Sequence, residues 1–395
     1  MEKNYKSIYI KRSVLKNVMG GHPWCFSGAI LKIDEGIKNG DLCEVYCDKT
    51  FVGIGYFNQN SDISIRLITR LKQKIDFEFF FNRFTTLRAQ KEQFIQDTNA
   101  YRLVFGESDN IPGLVVDIYN DVIVVQVHTM GIENLKENIV KALIKIYNPK
   151  TIHEKSEIGV RANEGLPTDV NKVLYGKETK EVVINEHNFK FSVNIPEGQK
   201  TGFFLDQREN RLSIVPYCKN KTMLNCFCYT GGFSIYAAKV AKSVTSIDIS
   251  KPAIENTKTN FKINGYDLNK HKFIAEDVFN HLKTIEKDQY DLIILDPPSF
   301  AKNKKQLKNA IKAYITINSK ALEKLPDYGI LISSSCTSHI DELTFIKILH
   351  QSAVNTNCQL KVLESKAQPQ DHGYNLAFPE GRYLKFFILQ KIPIL

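Results

Sequence analysis

The feature that most narrows the fold is a change of rhythm after about Glu181. From there apolar, strand-like runs recur at 223–226, 244–247, 272–274, 292–295, 330–333, 359–363 and 384–389, with helical patterns between most of them. A parallel strand needs a long crossover to bring the chain back alongside it, and a helix is the usual one, so this alternation predicts a doubly wound sheet. The last two runs break the rule. Only the stretch 364–381 separates them, with no helical pattern inside, so they end the sheet as a hairpin-like pair. The expected architecture is multidomain α/β, with a seven-stranded, Rossmann-like domain over 181–395.

Earlier in the chain the pattern is different. From Tyr9 to about Arg70, short apolar runs at 13–18, 41–46 and 51–56 alternate with turn signals such as Gly20-Gly21-His22-Pro23. Short strands at this spacing predict a small β-barrel over 1–74. In FVGIGYFN, Gly53 and Gly55 share one face, as in strands that another backbone approaches closely. Trp24, the single tryptophan, reads as a core residue of that barrel.

Over 75–180 a central α+β unit is expected. Phe77, Phe80, Phe81, Phe84, Leu87 and Phe94 fall near helical spacing, a packing stripe. Strands follow at 101–105, 114–118 and 122–127, the last two joined by a short turn at Tyr119-Asn120-Asp121. An amphipathic helix at 132–147 ends at Asn148-Pro149, and another strand lies at 151–154. No catalytic cluster is evident in this unit.

Composition excludes several classes of function. A hydrophobic content of 43% is enough for real cores and rules out wholesale disorder. No run of about 18 apolar residues occurs and the N-terminus has no signal-like stretch, so a cytoplasmic protein without a membrane span is expected. The eight cysteines, at 25, 43, 47, 218, 226, 228, 336 and 358, form no CxxC pair and no zinc-like spacing, so no metal is expected. In a reducing compartment most such thiols are small buried hydrophobes. The formal charge of +10 suits a polyanionic partner such as RNA or DNA, and residues 1–75 hold 12 Lys/Arg against 7 Asp/Glu, a net +5. Binding through such a surface should weaken steeply with salt.

Chemistry concentrates at the strand ends of the last domain. The first strand runs into Phe227-Cys228-Tyr229-Thr230-Gly231-Gly232 and then a helical pattern, a turn in which glycine lets backbone approach a ligand. Neither GxGxxG nor a P-loop is present, and the missing GxGxxG disfavours a dehydrogenase. Asp248 ends the second strand, where a carboxylate can accept both hydroxyls of a ribose; it could equally cap the next helix. Asp277, after the third strand, could face an adenine edge or serve as an N-cap. Upstream, Asp206-Gln207-Arg208-Glu209 reads as a capping box. Three such features at three successive strand ends point to a nucleoside-containing cofactor.

The fourth strand ends in Asp296-Pro297-Pro298-Ser299-Phe300. Two prolines make a rigid, donor-poor turn that would hold Asp296 toward a base's amino group or N3 and Phe300 toward its ring. The fifth strand ends in Ser333-Ser334-Ser335-Cys336, beside the fourth in the expected order. A thiolate added at C6 of cytosine makes C5 nucleophilic enough to take a methyl group. Cys336 is therefore the expected nucleophile and Asp296 its partner.

These strings, in this order, resemble the PUA-domain-containing 23S rRNA cytosine-C5 methyltransferases. GHPWCFSGAI resembles the start of the family's PUA barrel and VFGESDNIPGLVVDIY its central domain. EGQKTGFFLDQRENR, LNCFCYTGGFSIYAA, SIDIS, EDVF, LDPPSFAK, SSSC and FPEGRYLK match its methyltransferase motifs. The resemblance covers almost the whole chain. It implies a PUA-like RNA-binding barrel (1–74), a central domain (75–180) and a class I methyltransferase domain (181–395). It implies S-adenosylmethionine as cofactor, held by Gln207, Arg208, Asn225, Phe227, Tyr229, Gly231, Asp248, Asp277 and Asp296, with Cys336 as nucleophile. Pro297, Pro298 and Phe300 would face the base, and 23S rRNA or a large-subunit precursor would be the partner. Two departures stand out: Asp371-His372-Gly373, where the family commonly has proline after histidine, and Cys226 and Cys228 within the cofactor loop. The first leaves the conformation of 366–378 open.

Two other readings use the same residues. Asp-Pro-Pro-aromatic also resembles the motif of amino methyltransferases, whose chemistry needs no cysteine. A non-catalytic RNA-binding or ribosome-assembly protein could retain the fold without turnover.

Overall fold

The computed structural model describes residues 5–301 and 304–394, so residues 1–4 and the Lys302 that closes LDPPSFAK lie outside the described residues. The chain divides into two units. The first holds the chain through Ile184 together with Val193–Leu205 and Gln370–Gly381; the second holds Asn185–Ser192, Asp206–Pro369 and the chain from Arg382 on.

The first unit begins with β1 (Lys6–Ile10), α1 (Arg12–Met19), β2 (Trp24–Cys25), β3 (Ile30–Ile33), β4 (Leu42–Cys47), β5 (Thr50–Phe57) and β6 (Ile65–Thr69). The strands form a mixed six-stranded sheet in the order β2-β6-β5-β4-β1-β3 around a core that includes Ile8, Val45, Val52 and Leu67. Gly53 and Gly55 allow β6 to approach: a Cβ at either would lie 2.6 Å from the Thr69 carbonyl oxygen or 2.5 Å from that of Arg66.

Two expectations fail here. The run 13–18 is the helix α1, because Val14, Leu15 and Val18 share a helical face and only Val18 is buried. Trp24 is only partly buried and lies outside the core cluster, since its strand neighbour Cys25 takes the inward position. Its ring instead meets Phe378 edge-on at 4.8 Å, and its indole N–H donates to Glu107 (3.0 Å).

The unit continues through α2 (Phe77–Glu92), β7 (Ala100–Phe105), β8 (Leu114–Tyr119), β9 (Val122–Val127), α3 (Met130–Tyr147), β10 (Thr151–Ser156) and β11 (Val170–Gly176). The strands make a five-stranded sheet, β11-β10-β9-β8-β7. Asp76 caps α2 by accepting from the Phe79 N–H, and Phe80, Phe84 and Leu87 bury the predicted stripe. Phe94 falls beyond the helix end and is exposed. The turn between β8 and β9 pairs Tyr119 with Val122, and Asn148 ends α3 in the left-handed region. Gln370–Gly381, which includes Asp371-His372-Gly373, is anchored in this unit. The Asp371 carboxylate accepts the Arg102 N–H (3.0 Å), and its carbonyl accepts from Lys91 (2.7 Å).

The chain then forms the hairpin β12 (Glu181–Glu186) and β13 (Phe189–Asn194), whose tip belongs to the second unit. In that unit come α4 (Arg208–Ser213), α5 (Val215–Cys218), β14 (Thr222–Cys226), α6 (Gly232–Ala238), β15 (Ser243–Asp248), α7 (Lys251–Ile263), β16 (Lys272–Ala275), α8 (Val278–Thr284), β17 (Leu292–Leu295), α9 (Leu307–Lys324), β18 (Ile330–Ser335), α10 (Glu342–Asn355), β19 (Cys358–Lys366) and β20 (Lys385–Pro393). The seven strands run β16-β15-β14-β17-β18-β20-β19, with β20 antiparallel to both neighbours. The order reverses between β14 and β17, the kind of crevice in which open α/β sheets bind ligands. Leu224, Ile247, Ile293, Leu331 and Tyr314 are among the residues of its core.

Candidate active site

The turn after β14 has an unusual backbone. Phe227 and Tyr229 both have positive φ, 58° and 48°, and Gly231 follows at 82°. Two bulky side chains in the left-handed region store strain that the surroundings must hold in place. They do so: the Tyr229 N–H donates to Asp248 Oδ2 (2.9 Å), and the Tyr229 and Thr230 carbonyls accept from Thr257 (3.0 Å) and Asn260 (2.8 Å). At Gly231 a Cβ would lie 2.6 Å from Thr257 Cγ2, so only glycine fits. Beneath the turn, Asn225 donates to Ser234 (2.9 Å), while its buried Oδ1 has no hydrogen-bond partner among the described residues. A buried pair supports the turn from below: Arg211 meets Glu186 through two 2.7 Å contacts, and its Cδ lies 3.1 Å from where a Gly232 Cβ would be.

Asp248 ends β15 and also accepts the Ser250 N–H on Oδ1 (2.9 Å). Helix α7 is capped by Ser250 rather than by Asp248, so the carboxylate serves the turn and not the helix. The next residue, Ile249, is 72% exposed, an apolar surface beside a carboxylate. Asp277 is the N-cap of α8 and accepts the Asn280 N–H at 2.9 Å, so the capping alternative is realised there. Asp206 is not the N-cap of α4: that position is Gln207, which makes no side-chain cap. The Asp206 carboxylate instead accepts the Tyr383 hydroxyl (2.7 Å), Arg208 is buried against Glu209 (2.9 Å), and α4 has no side-chain cap.

The second cluster lies at the ends of β17 and β18, which pair in parallel with Leu295 beside Ser333. Asp296 Oδ1 accepts hydrogen bonds from Gln207 Nε2 (3.0 Å) and from the Ser334 hydroxyl. Gln207 is itself held by Asn210 Nδ2 (2.6 Å). One of the cofactor residues expected from sequence, Gln207, therefore fixes the carboxyl expected to face the base. Pro297 is buried and Pro298 exposed. Phe300 is partly buried, with its ring 4.7 Å from that of Tyr314 and 6.2 Å from that of Phe279.

Cys336 follows β18 and is half-buried, whereas the other seven cysteines are buried. Burial pushes Cys25 up to about 11 and Cys218 up to about 12, and raises Cys226 and Cys228 further. Around Cys336 lie groups that sequence reading did not single out. Thr337 shares hydrogen bonds of 3.1 Å with the Ser299 and Tyr314 hydroxyls. Burial pushes Tyr314 up to about 12, which keeps it protonated at neutral pH. Lys385, only 4% exposed, donates to the carbonyls of Thr337 (2.7 Å) and Tyr383 (2.8 Å). Burial lowers its ammonium to about 8, although Cys336 and Asp341 favour the charged form. A lysine inside FPEGRYLKFF reads locally as a strand start, so the pairing of β20 with β18 was needed to find it.

Comparison with known proteins extends this picture. Residues 160–356 match a family model described as S-adenosylmethionine-dependent methyltransferase, and residues 8–70 match one described as a PUA-like domain. The chain is 38% identical over 390 residues to a ribosomal RNA large subunit methyltransferase I of Vibrio parahaemolyticus, covering 96% of this chain and 98% of that protein. It is 39% identical to the protein of the same name from Aliivibrio fischeri, with the same coverage. A methyltransferase solved in complex with SAH superposes with a TM-score of 0.84 at 26% identity, covering 98% of this chain and all of the other.

Proposed function

The chain belongs to the S-adenosylmethionine-dependent ribosomal RNA large subunit methyltransferase I family, and on that premise we propose that it methylates C5 of a cytosine in 23S rRNA through a covalent bond between Cys336 and C6 of the base. The observation that carries the reading is that Asp296 and Cys336 follow two neighbouring parallel strands, with Asp296 bonded to Ser334, two residues before Cys336.

The residues present fit the cofactor. Asp248, beside exposed Ile249, offers a carboxylate for ribose hydroxyls, and it fixes the strained turn at 227–231 through the Tyr229 N–H. The unsatisfied Asn225 Oδ1 is an acceptor awaiting a donor. When bound, S-adenosylmethionine would supply an electrophilic methyl group to carbon, with its thioether as the leaving group. The chain's own part is to make C5 nucleophilic. The Cys336 thiolate adds to C6, forming the S–C6 bond and shifting the C5–C6 π pair toward C5 and N3. Asp296, fixed by Gln207 and Ser334, faces the N3–N4 edge of the base and in its protonated form gives its proton to N3 as that charge develops. After C5 has gained its methyl group, loss of the C5 proton to a base re-forms the double bond and expels the thiolate. A base paired within an RNA helix must be flipped out to reach such an edge.

The deciding experiment is base-resolution cytosine-methylation mapping of rRNA from a strain lacking the protein, complemented with wild type or with Cys336→Ala. One cytosine should lose its methyl group and regain it only with the wild type. If no cytosine changes, the C5 assignment fails. If Cys336→Ala restores methylation, transfer to a nitrogen beside Asp-Pro-Pro-Ser-Phe becomes the better account.

A further inference from the structure

We propose that Lys385 is a positioning residue that holds Cys336 as a thiolate, paired with the lysine ammonium, before attack on the base. The proposal rests on the reading of Cys336 as nucleophile given above. Its geometric basis is that Lys385 brackets the cysteine from two directions. As the first residue of β20 it pairs with Ser335, the last of β18 and the residue before Cys336. Its side chain then reaches the residue after, donating to the Thr337 carbonyl at 2.7 Å, with a second bond to the Tyr383 carbonyl at 2.8 Å. The turn carrying Cys336 is thereby clamped at both shoulders by one residue.

The electrostatics of that clamp are unusual. Lys385 is 96% buried, and its two hydrogen-bond partners are neutral carbonyls. Among the described residues no carboxylate lies within ion-pair distance of its Nζ. A buried ammonium without a counter-charge is costly, and the lowering of Lys385 to about 8 reflects that. The charged groups acting on it are Cys336, Asp341, Arg382 and Glu342. Asp341 is committed to capping α10, and Glu342 is bound to Arg382. Of the other groups near Cys336, Tyr314 is protonated and Asp296 is bonded to Gln207 and Ser334. An ionised Cys336 is therefore the counter-charge that the lysine lacks.

The exchange balances without any added reagent. The S–H bond of Cys336 breaks, an N–H bond forms on the Lys385 amine, and the pair stays neutral in either state. When sulfur adds to C6, its negative charge passes to the base and the ammonium stays in place. When the adduct collapses, the S–C6 electron pair returns to sulfur beside the same ammonium. The pair is restored for the next cycle.

The test is the pH dependence of iodoacetamide alkylation at Cys336 in the full-length protein, followed by peptide mass spectrometry. In the wild type the midpoint should lie at least about one pH unit below the ordinary thiol value of about 8.5. Lys385→Met and Lys385→Gln should raise it by about one unit or more and slow labelling at pH 7 about tenfold, whereas Lys385→Arg should stay close to wild type. Glutamine can still donate to the two carbonyls but carries no charge. A Lys385→Gln profile that matches the wild type would reduce the lysine to a structural clamp and overturn the proposal. Should the variants fail to fold, the wild-type protein still decides: a midpoint at or above 8.5 overturns it. Failure of the nucleophile reading is a separate outcome, because Cys336→Ala would then keep its methyl-transfer activity whatever the labelling midpoint.

Discussion

Two turns leave the carboxyl edge of the same seven-stranded sheet with cysteines in them, and they treat the thiol in opposite ways. At the end of β14 and in the turn after it, Cys226 and Cys228 are buried, and burial drives both far above the ordinary thiol range. Asp248 adds to the effect at Cys228 by opposing a second negative charge. After β18, Cys336 is half-buried, follows three buried serines, and has a buried lysine clamped across its turn. The residue type is the same and so is the sheet edge. On the proposed reading, solvent access and the charge across the turn separate the thiol that packs from the thiol that reacts.

The sharpest way to break this comparison is to remove the reactive member. Cys336→Ala should lower single-turnover methyl transfer by at least about a thousandfold, since loss of a nucleophile removes the step that later steps depend on. S-adenosylmethionine affinity should stay close to wild type. A loss of tenfold or less would place Cys336 with the structural thiols. The second measurement asks the native protein directly. Brief iodoacetamide treatment at pH 7.5 should label Cys336 about a hundredfold faster than Cys226 or Cys228, because burial withholds both access and ionisation from the latter pair. Comparable labelling of all three would erase the distinction.

The cofactor turn can be challenged from its own side. Gly231 has φ of 82°, and a Cβ there would press on Thr257 at 2.6 Å. Gly231→Ala should cost about 1–3 kcal/mol of stability and at least about tenfold in S-adenosylmethionine affinity, read by thermal melts and by calorimetric titration. Labelling of Cys336 should not move. If it did, the two turns would be coupled and not independent.

Much of this edge is legible in the sequence because parallel strands all point their carboxyl ends the same way. Once the alternation after Glu181 is read, Gly231, Asp248, Asp277, Asp296 and Cys336 fall on one edge by periodicity alone. What stays hidden depends on pairings distant in sequence. Lys385 precedes an apolar run and looks like an ordinary strand start, and only the antiparallel register with β18 buries it beside Cys336. Likewise, Asp206 three residues before Glu209 has the spacing of a capping box, yet a tyrosine 177 positions away claims its carboxylate. In the first unit, the run 13–18 has apolar residues suited to either period, and the helical one prevails. Trp24 is only partly buried because its strand is two residues long and Cys25 faces the core.

Asp277 is the smallest test and separates two roles that one residue can hold together. Its Oδ1 caps α8 by accepting the Asn280 N–H, and among the described residues its Oδ2 takes no hydrogen bond. Asp277→Ala removes both the cap and the carboxylate, and should cost about 1 kcal/mol of stability. Asp277→Asn keeps the cap, since asparagine is as good an N-cap as aspartate, and should melt within a few tenths of a kcal/mol of wild type. The asparagine amide nitrogen can no longer accept from an adenine amino group if it takes the place of Oδ2. A severalfold loss of S-adenosylmethionine affinity in Asp277→Asn, with stability intact, therefore assigns the second oxygen to the cofactor. Unchanged affinity leaves Asp277 as a helix cap and narrows the nucleoside contacts to Asp248 and the 227–231 turn.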